Sequence, residues 1–145
     1  MTKPIRTVML GEGADQNGFA LMMSELIRQN VADHPDKRGP LARLRGRIGI
    51  VVEDAGVSVT LDCRAPVLRV LDGLVGVPDV TIRATSELMT KMSLIELVPR
   101  LGVPDPRGPV AKEVAAAEKS GALRVYGALE FPLSVLRLTR VLSVN

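Results

Sequence analysis

Apolar residues recur at spacings of three and four along several parts of the chain, which is the periodicity of an amphipathic helix. The clearest run covers residues 18–33, where Asn17 offers a side-chain N-cap and Pro35 ends the helix. Three further helices are predicted at 87–98 (with Ser86 as N-cap), at 110–119 and at 132–144. The last of them is apolar on nearly every side, which is typical of a helix packed in a core.

Alternation of apolar and polar residues predicts strands in other parts of the chain. The pattern is cleanest in 57–63, where Val, Leu and Cys alternate with Ser, Thr and Asp. Five strands are predicted, over 47–54, 57–63, 66–71, 80–84 and 123–126. Short turns join the first three, which favours an antiparallel meander. Residues 5–10 stay open between a short strand and a loop, and 36–46 form a basic connector in which 41–44 could make one helical turn.

The order of these elements predicts the architecture. Strands and helices are partly segregated along the chain, which is typical of the α+β class. We therefore predict a five-stranded, mainly antiparallel sheet with helices packed on one face.

Composition supports one globular domain over residues 1–145. Hydrophobic residues make up 46% and charged residues 24% of the chain, and Trp is absent, so the core is built from aliphatic side chains and Met. Cys63 is the only cysteine, which excludes a disulfide framework, and it falls on the inward face of its strand. The chain starts without an apolar leader and has no membrane-length apolar run, so we expect a cytoplasmic protein.

The net charge is +3, and the densest basic stretch covers residues 37–47. Such a stretch can contact nucleic acid or anionic lipid, but it is also typical of a solvated face. Nucleic-acid binding would normally add stacking aromatics or a known motif, and the sequence has neither, so we expect no nucleic-acid partner.

Candidate catalytic residues are few. His34 is the only histidine and lies just past a helix end, so a histidine-dependent mechanism has to use it. A Ser-His-Asp triad stays open on spacing, because its members need only meet in space, but no nucleophile-elbow motif supports one. The Gly11-Glu12-Gly13 sequence lacks the third glycine of a dinucleotide loop, since Gln16 stands there. We therefore predict no catalytic residue, no metal site and no cofactor.

Two segments resemble the sterol carrier protein type-2 family. Residues 78–92, PDVTIRATSELMTKM, are similar to its strand-then-helix segment, and residues 120–127, SGALRVYG, to its closing strand before an apolar C-terminal helix. The resemblance covers about residues 19–145, and the meander over 47–71 has the right place in it. It sets apart an N-terminal extension at 1–17 and a loop-helix insertion at 102–120.

The resemblance implies a non-enzymatic protein that binds or transfers a fatty acid, a fatty acyl-CoA or a sterol in a tunnel between sheet and helices. Carried over by position, the tunnel walls are expected at Val59, Leu61, Ile82, Met89, Met92, Leu123, Val125, Leu133 and Leu136. The observation that would decide most is whether an apolar cavity of several hundred Å³ lies beneath the C-terminal helix.

Other functions stay open. The same fold could be an accessory or dimerisation module of a lipid-metabolising enzyme, with an interior filled by side chains. A homodimer, a transient contact of the last helix and the basic connector with a membrane surface, and an enzyme that depends on His34 are the remaining alternatives.

Overall fold

A computed structural model describes residues 5–145, in which six strands form one mixed sheet and five helices pack against it. The strands are β1 (Val8–Leu10), β2 (Arg47–Val52), β3 (Val57–Asp62), β4 (Leu68–Asp72), β5 (Val80–Ala84) and β6 (Arg124–Tyr126). The helices are α1 (Gly18–Asp33), α2 (Arg38–Arg43), α3 (Ser86–Ser93), α4 (Pro109–Ser120) and α5 (Pro132–Leu142). The first four residues of the predicted N-terminal extension lie outside the described residues.

The sheet confirms the α+β class and corrects the predicted strand number and pairing. Its strand order is β1-β4-β3-β2-β5-β6. The meander of β2, β3 and β4 is antiparallel as predicted, and β6 pairs antiparallel with β5. However, β5 pairs parallel with β2, and β1 adds a sixth strand parallel to β4. Both parallel pairs join strands that are distant along the chain, so no local turn motif in the sequence could predict the pairing.

One face of the sheet carries the core. Paired residues on neighbouring strands point to the same side, as in the rows through Ile48, Leu61 and Val80 and through Ile50, Val59 and Ile82. These side chains are buried in one cluster with apolar residues of α1, α4 and α5. The helices therefore cover this face, as predicted.

A loop crosses the opposite face of the sheet. The hydroxyl of Thr60 on β3 donates to the carbonyl of Gly73 at 2.8 Å and accepts from the amide of Val75 at 2.9 Å. A Cβ at Gly49 on β2 would come within 2.8 Å of Leu74, so glycine allows the loop to lie close to the sheet. This loop closes the second face without a helix.

Asn17 caps α1 as the sequence predicts and also ties the helix to the sheet. Its side-chain oxygen accepts from the amides of Phe19 and Ala20, and its side-chain amide donates to the Ser58 carbonyl and the Asp72 carboxylate at 3.0 and 2.9 Å. The helix begins and ends at the predicted residues, 18 and 33. Its N-terminal half is thereby held over β3 and β4.

We expect Asn17→Ala to lower the free energy of unfolding by about 2 kcal/mol, because it removes both the cap and the two tertiary hydrogen bonds. Urea unfolding followed by far-UV circular dichroism measures the loss. Asn17→Ser is the matched control, since serine keeps a capping oxygen but has no amide, and it should lose only about half as much. Equal losses in both variants would contradict the contribution of the cap.

Helix α3 is shorter than the predicted 87–98 helix and ends at Ser93. The C-terminal segment supplies the reason, because Val144 donates its amide to Ser93 O and the Asn145 side chain donates to Leu94 O and Ile95 O. These carbonyls gain tertiary partners, so the helix need not continue. The predicted N-cap is also displaced by one residue, since Thr85 caps the helix and Ser86 is its first residue.

The segment after α3 caps the next helix. The Glu96 carboxylate accepts from the amides of Val110 and Ala111 in the first turn of α4, at 3.0 and 2.9 Å. Helix α4 ends at Ser120 and is capped by Gly121, which has the left-handed φ of 86° that favours glycine. The final helix α5 begins at Pro132 as predicted but ends at Leu142, two residues early.

The Glu96 cap predicts a pH-dependent stability. Partial burial raises the pKa of the Glu96 carboxyl, but the hydrogen bonds from the two amides outweigh it and hold the pKa below its ordinary value. The stabilisation is therefore complete above the ordinary glutamate pKa, about 4.3, and is lost as the pH falls through the lower pKa of the folded protein. Urea midpoints of the wild type and Glu96→Gln should differ at pH 7 and converge toward pH 3. The exposed Glu118→Gln should track the wild type throughout.

Candidate functional site

A cavity of about 530 Å³ lies between the inner face of the sheet, α1 and α3. Its volume is within the range of ordinary small-molecule sites. Its walls come from α1, strands β2, β3 and β5, the β2–β3 turn, α3 and the last residue of α5. The lining residues are Gly18, Phe19, Met22, Met23, Leu26, Ile50, Val52, Ala55, Val57, Ile82, Ser86, Met89, Thr90, Met92, Ser93 and Leu142.

Methionine is the most frequent lining residue. Met22 and Met23 come from α1, and Met89 and Met92 come from α3. Their side chains are unbranched and flexible, so the walls can adapt to ligands of different outline. Met22 is 55% exposed, which places it at the opening of the cavity.

The structure brings three of the nine predicted wall residues to this cavity, namely Ile82, Met89 and Met92. Val59, Leu61 and Leu123 are instead buried in the packed core, at 0–2% exposure, and do not line the cavity. Val125 also lies outside the cavity, half-buried on the edge strand β6. These four residues therefore belong to parts of the core and sheet edge outside the cavity.

Helix α5 contributes its C-terminal end, and not Leu133 or Leu136, to the cavity. Leu133 and Leu136 are 58% and 39% exposed and point away from the core, whereas Leu138, Val141 and Leu142 are buried. Of these, Leu142 alone lines the cavity. Helix α5 packs on α1, α2 and α3, and it meets the cavity only at its last residue.

The wall residues predicted from the sequence included none from α1. Phe19, Met22, Met23 and Leu26 all line the cavity and all belong to the apolar stripe that predicted this helix. The stripe is wider than packing on the sheet requires, since Met22 remains exposed. The width of the apolar stripe on α1 was therefore the sequence feature that could have predicted this wall of the cavity.

The polar edge of the cavity consists of hydroxyls along one side of α3. The Ser86 amide and hydroxyl donate to the Asp54 carboxylate in the β2–β3 turn, at 2.7 and 2.8 Å. The Thr90 hydroxyl donates to Ser86 O at 3.1 Å, and the Ser93 hydroxyl donates to Thr90 O at 2.6 Å. The hydrogen bonds from Ser86 lower the pKa of Asp54, so this carboxylate is ionised at neutral pH.

His34 and Cys63, the residues that the sequence offered for catalysis, do not line the cavity. His34 Nε2 is 3.0 Å from the carbonyl of Val144, so it donates there and helps to hold the C-terminal segment. Cys63 is fully buried as predicted, and burial raises the pKa of its thiol to about 11, which disfavours the nucleophilic thiolate. Within residues 5–145 no group of three or more His, Cys, Asp or Glu side chains could hold a metal ion.

A second, more open depression of about 580 Å³ surrounds Arg6 and Cys63. The Arg6 guanidinium donates all its available hydrogen bonds to five backbone carbonyls of the protein. Arg6 therefore has no donor left for a ligand, and its role here is to hold the surrounding backbone.

Comparison with solved structures identifies the fold. The chain is similar to a structure described as "UbiJ-SCP2 Ubiquinone synthesis protein", with a TM-score of 0.56 and 19% identity over 85% of this chain and 90% of that one. It is also similar to a crystal structure of sterol carrier protein 2, with a TM-score of 0.50 and 14% identity over 83% of this chain and 90% of the other.

The protein has an SCP2-like fold. Neither the family models nor the curated proteins give a significant match to the sequence, so three-dimensional similarity alone supports the resemblance seen in residues 78–92 and 120–127. Among the described residues of this SCP2-like domain, no helix is long and apolar enough to cross a bilayer.

Proposed function

We propose that the protein binds and transfers a hydrophobic small molecule of the lipid class without carrying out chemistry on it. The observation that carries the proposal is the apolar cavity between α1, α3 and the sheet, which is open at Met22. The SCP2-like fold supports it, since one of its structural neighbours is named as a sterol carrier protein. A fatty acid, a fatty acyl-CoA and a sterol are the ligand classes implied.

The driving force is burial of apolar ligand surface. Each CH₂ group that moves from water into the cavity contributes about 0.8 kcal/mol. The cavity walls are already formed by helices and strands, which limits the ordering cost on binding. A rim of flexible Met side chains allows a ligand to enter without unfolding of α1 or α3.

The first test is extraction of the purified protein with organic solvent, followed by mass spectrometry of the extract. The second is titration with Nile red, an uncharged dye whose fluorescence rises in apolar surroundings. We expect a co-purified lipid or saturable dye binding that added lipid displaces. A protein that carries no lipid, binds no dye and takes up no added lipid would contradict the proposal.

An accessory role in lipid metabolism is the second candidate. Leu133 and Leu136 expose apolar surface on α5 next to Arg137 and away from the cavity, and one structural neighbour is named a ubiquinone synthesis protein. If this role holds, Leu133→Ser with Leu136→Ser should abolish association with a partner enzyme in pull-down experiments. Dye binding should remain unchanged, which distinguishes this surface from the cavity.

A further inference from the structure

The described lining of the cavity has no positively charged residue, and a carboxylate lies beside it. None of the described residues that line it is Lys, Arg or His, so no cation is available within its walls. Lys91 is the basic residue nearest along α3, and its ammonium is paired with Glu113 at 2.8 Å and Glu87 at 3.4 Å. A carboxylate or phosphate placed in the cavity would therefore lose its hydration without gaining a counter-ion, which is costly.

The N-terminus of α3 already has a carboxylate partner. A helix N-terminus attracts anions through its free amides, but the Ser86 amide already donates to Asp54 and the Leu88 amide to Thr85. The Asp54 carboxylate thus places a negative charge within hydrogen-bonding distance of a lining residue. An anionic head group at this edge would be repelled by it.

The hydroxyl protons at the cavity edge are also committed. Each hydroxyl has a single proton, and those of Ser86, Thr90 and Ser93 are donated to protein oxygens. Their oxygen lone pairs remain, so together with the Asp54 carboxylate the edge presents acceptors. The complementary head group is one that donates a hydrogen bond and carries no negative charge.

We propose that the cavity selects uncharged lipids with a hydroxyl head group, such as long-chain alcohols, over fatty acids and acyl-CoA. This inference rests on the proposed lipid-binding function and narrows it to one chemical class. The hydroxyl of the ligand would donate to the acceptors along α3, and its apolar part would lie between the Met side chains.

The test is displacement of Nile red at pH 8 by three ligands with the same 16-carbon chain: 1-hexadecanol, methyl hexadecanoate and hexadecanoate. We expect the alcohol to displace the dye at the lowest concentration. The ester, which lacks a donor, should need roughly fivefold more, in line with the loss of one hydrogen bond. The ionised acid should need at least about tenfold more than the alcohol.

Two variants test the electrostatic cause. Thr90→Lys places a cation at the cavity edge and should improve displacement by hexadecanoate about tenfold relative to the alcohol. Ser120→Lys adds the same charge at the exposed end of α4 and should leave the ligand order unchanged. Asp54→Asn removes the negative charge and keeps an acceptor for Ser86, so it should narrow the difference between acid and alcohol even if Thr90→Lys folds poorly.

The outcomes separate the two proposals. Hexadecanoate that displaces as well as hexadecanol overturns the selection for uncharged lipids and leaves lipid binding intact. An ester that equals the alcohol overturns the requirement for a donor. Absence of dye binding in the folded wild type, with no uptake of any of the three ligands, overturns the lipid-binding function itself.

Discussion

Replacing Met89 with Trp should abolish or strongly weaken lipid binding while the protein stays folded. Met89 lies on α3 and lines the cavity between α1, α3 and the sheet. An indole in its place would fill much of the free space and bury additional apolar surface, so we expect unchanged or higher stability. Nile red affinity should fall about tenfold or more, because the ligand and the indole compete for the same volume.

Met9→Trp is the matched control for this substitution. Met9 lies on the edge strand β1, is 49% exposed and does not line the cavity, so the same change there should leave dye binding unaltered. The chain has no native Trp, so the indole introduced at 89 also reports on its surroundings. Its emission should be blue-shifted relative to that of Met9→Trp. Dye binding by Met89→Trp at the wild-type level would place the ligand elsewhere.

Local features explain why the helices were more predictable than the sheet. The bounds of α1 follow from the Asn17 cap, the apolar stripe and Pro35, all of which act within a few residues of the helix. The register of β1 with β4 depends instead on contacts such as Val8 with Leu68, which are distant in sequence. The end of α3 likewise depends on Asn145, so no pattern within residues 87–98 could indicate it.

The candidate site was partly predictable for a similar reason. Inward-facing residues on strands and helices follow from alternation and helical period, which found Ile82, Met89 and Met92. Whether such a residue faces a cavity or a packed neighbour depends on how far apart two helices lie on the sheet. Met89 lines the cavity and Leu61 is packed in the core, although the sequence pattern makes both positions apolar and inward-facing.

Arg6 links three parts of the chain through backbone hydrogen bonds. Its guanidinium donates to carbonyls at the end of α2 and in the turn between β3 and β4, from a position two residues before β1. The acceptors are the carbonyl oxygens of Leu41, Leu44, Cys63, Ala65 and Pro66, at 2.6 to 3.0 Å. Three of these five hydrogen bonds are partly buried, so water cannot fully replace them.

We therefore expect Arg6→Ala to lower the free energy of unfolding by about 3 kcal/mol. Arg6→Lys should recover little of it, because an ammonium group cannot direct donors to five carbonyls in the plane of a guanidinium. Urea unfolding followed by far-UV circular dichroism measures both variants. Arg64→Ala in the same β3–β4 turn is the control, since Arg64 is exposed and pairs with Asp62 at the surface, and it should change the unfolding midpoint little. Full stability of Arg6→Lys would show that the positive charge, and not the planar set of five donors, holds these segments together.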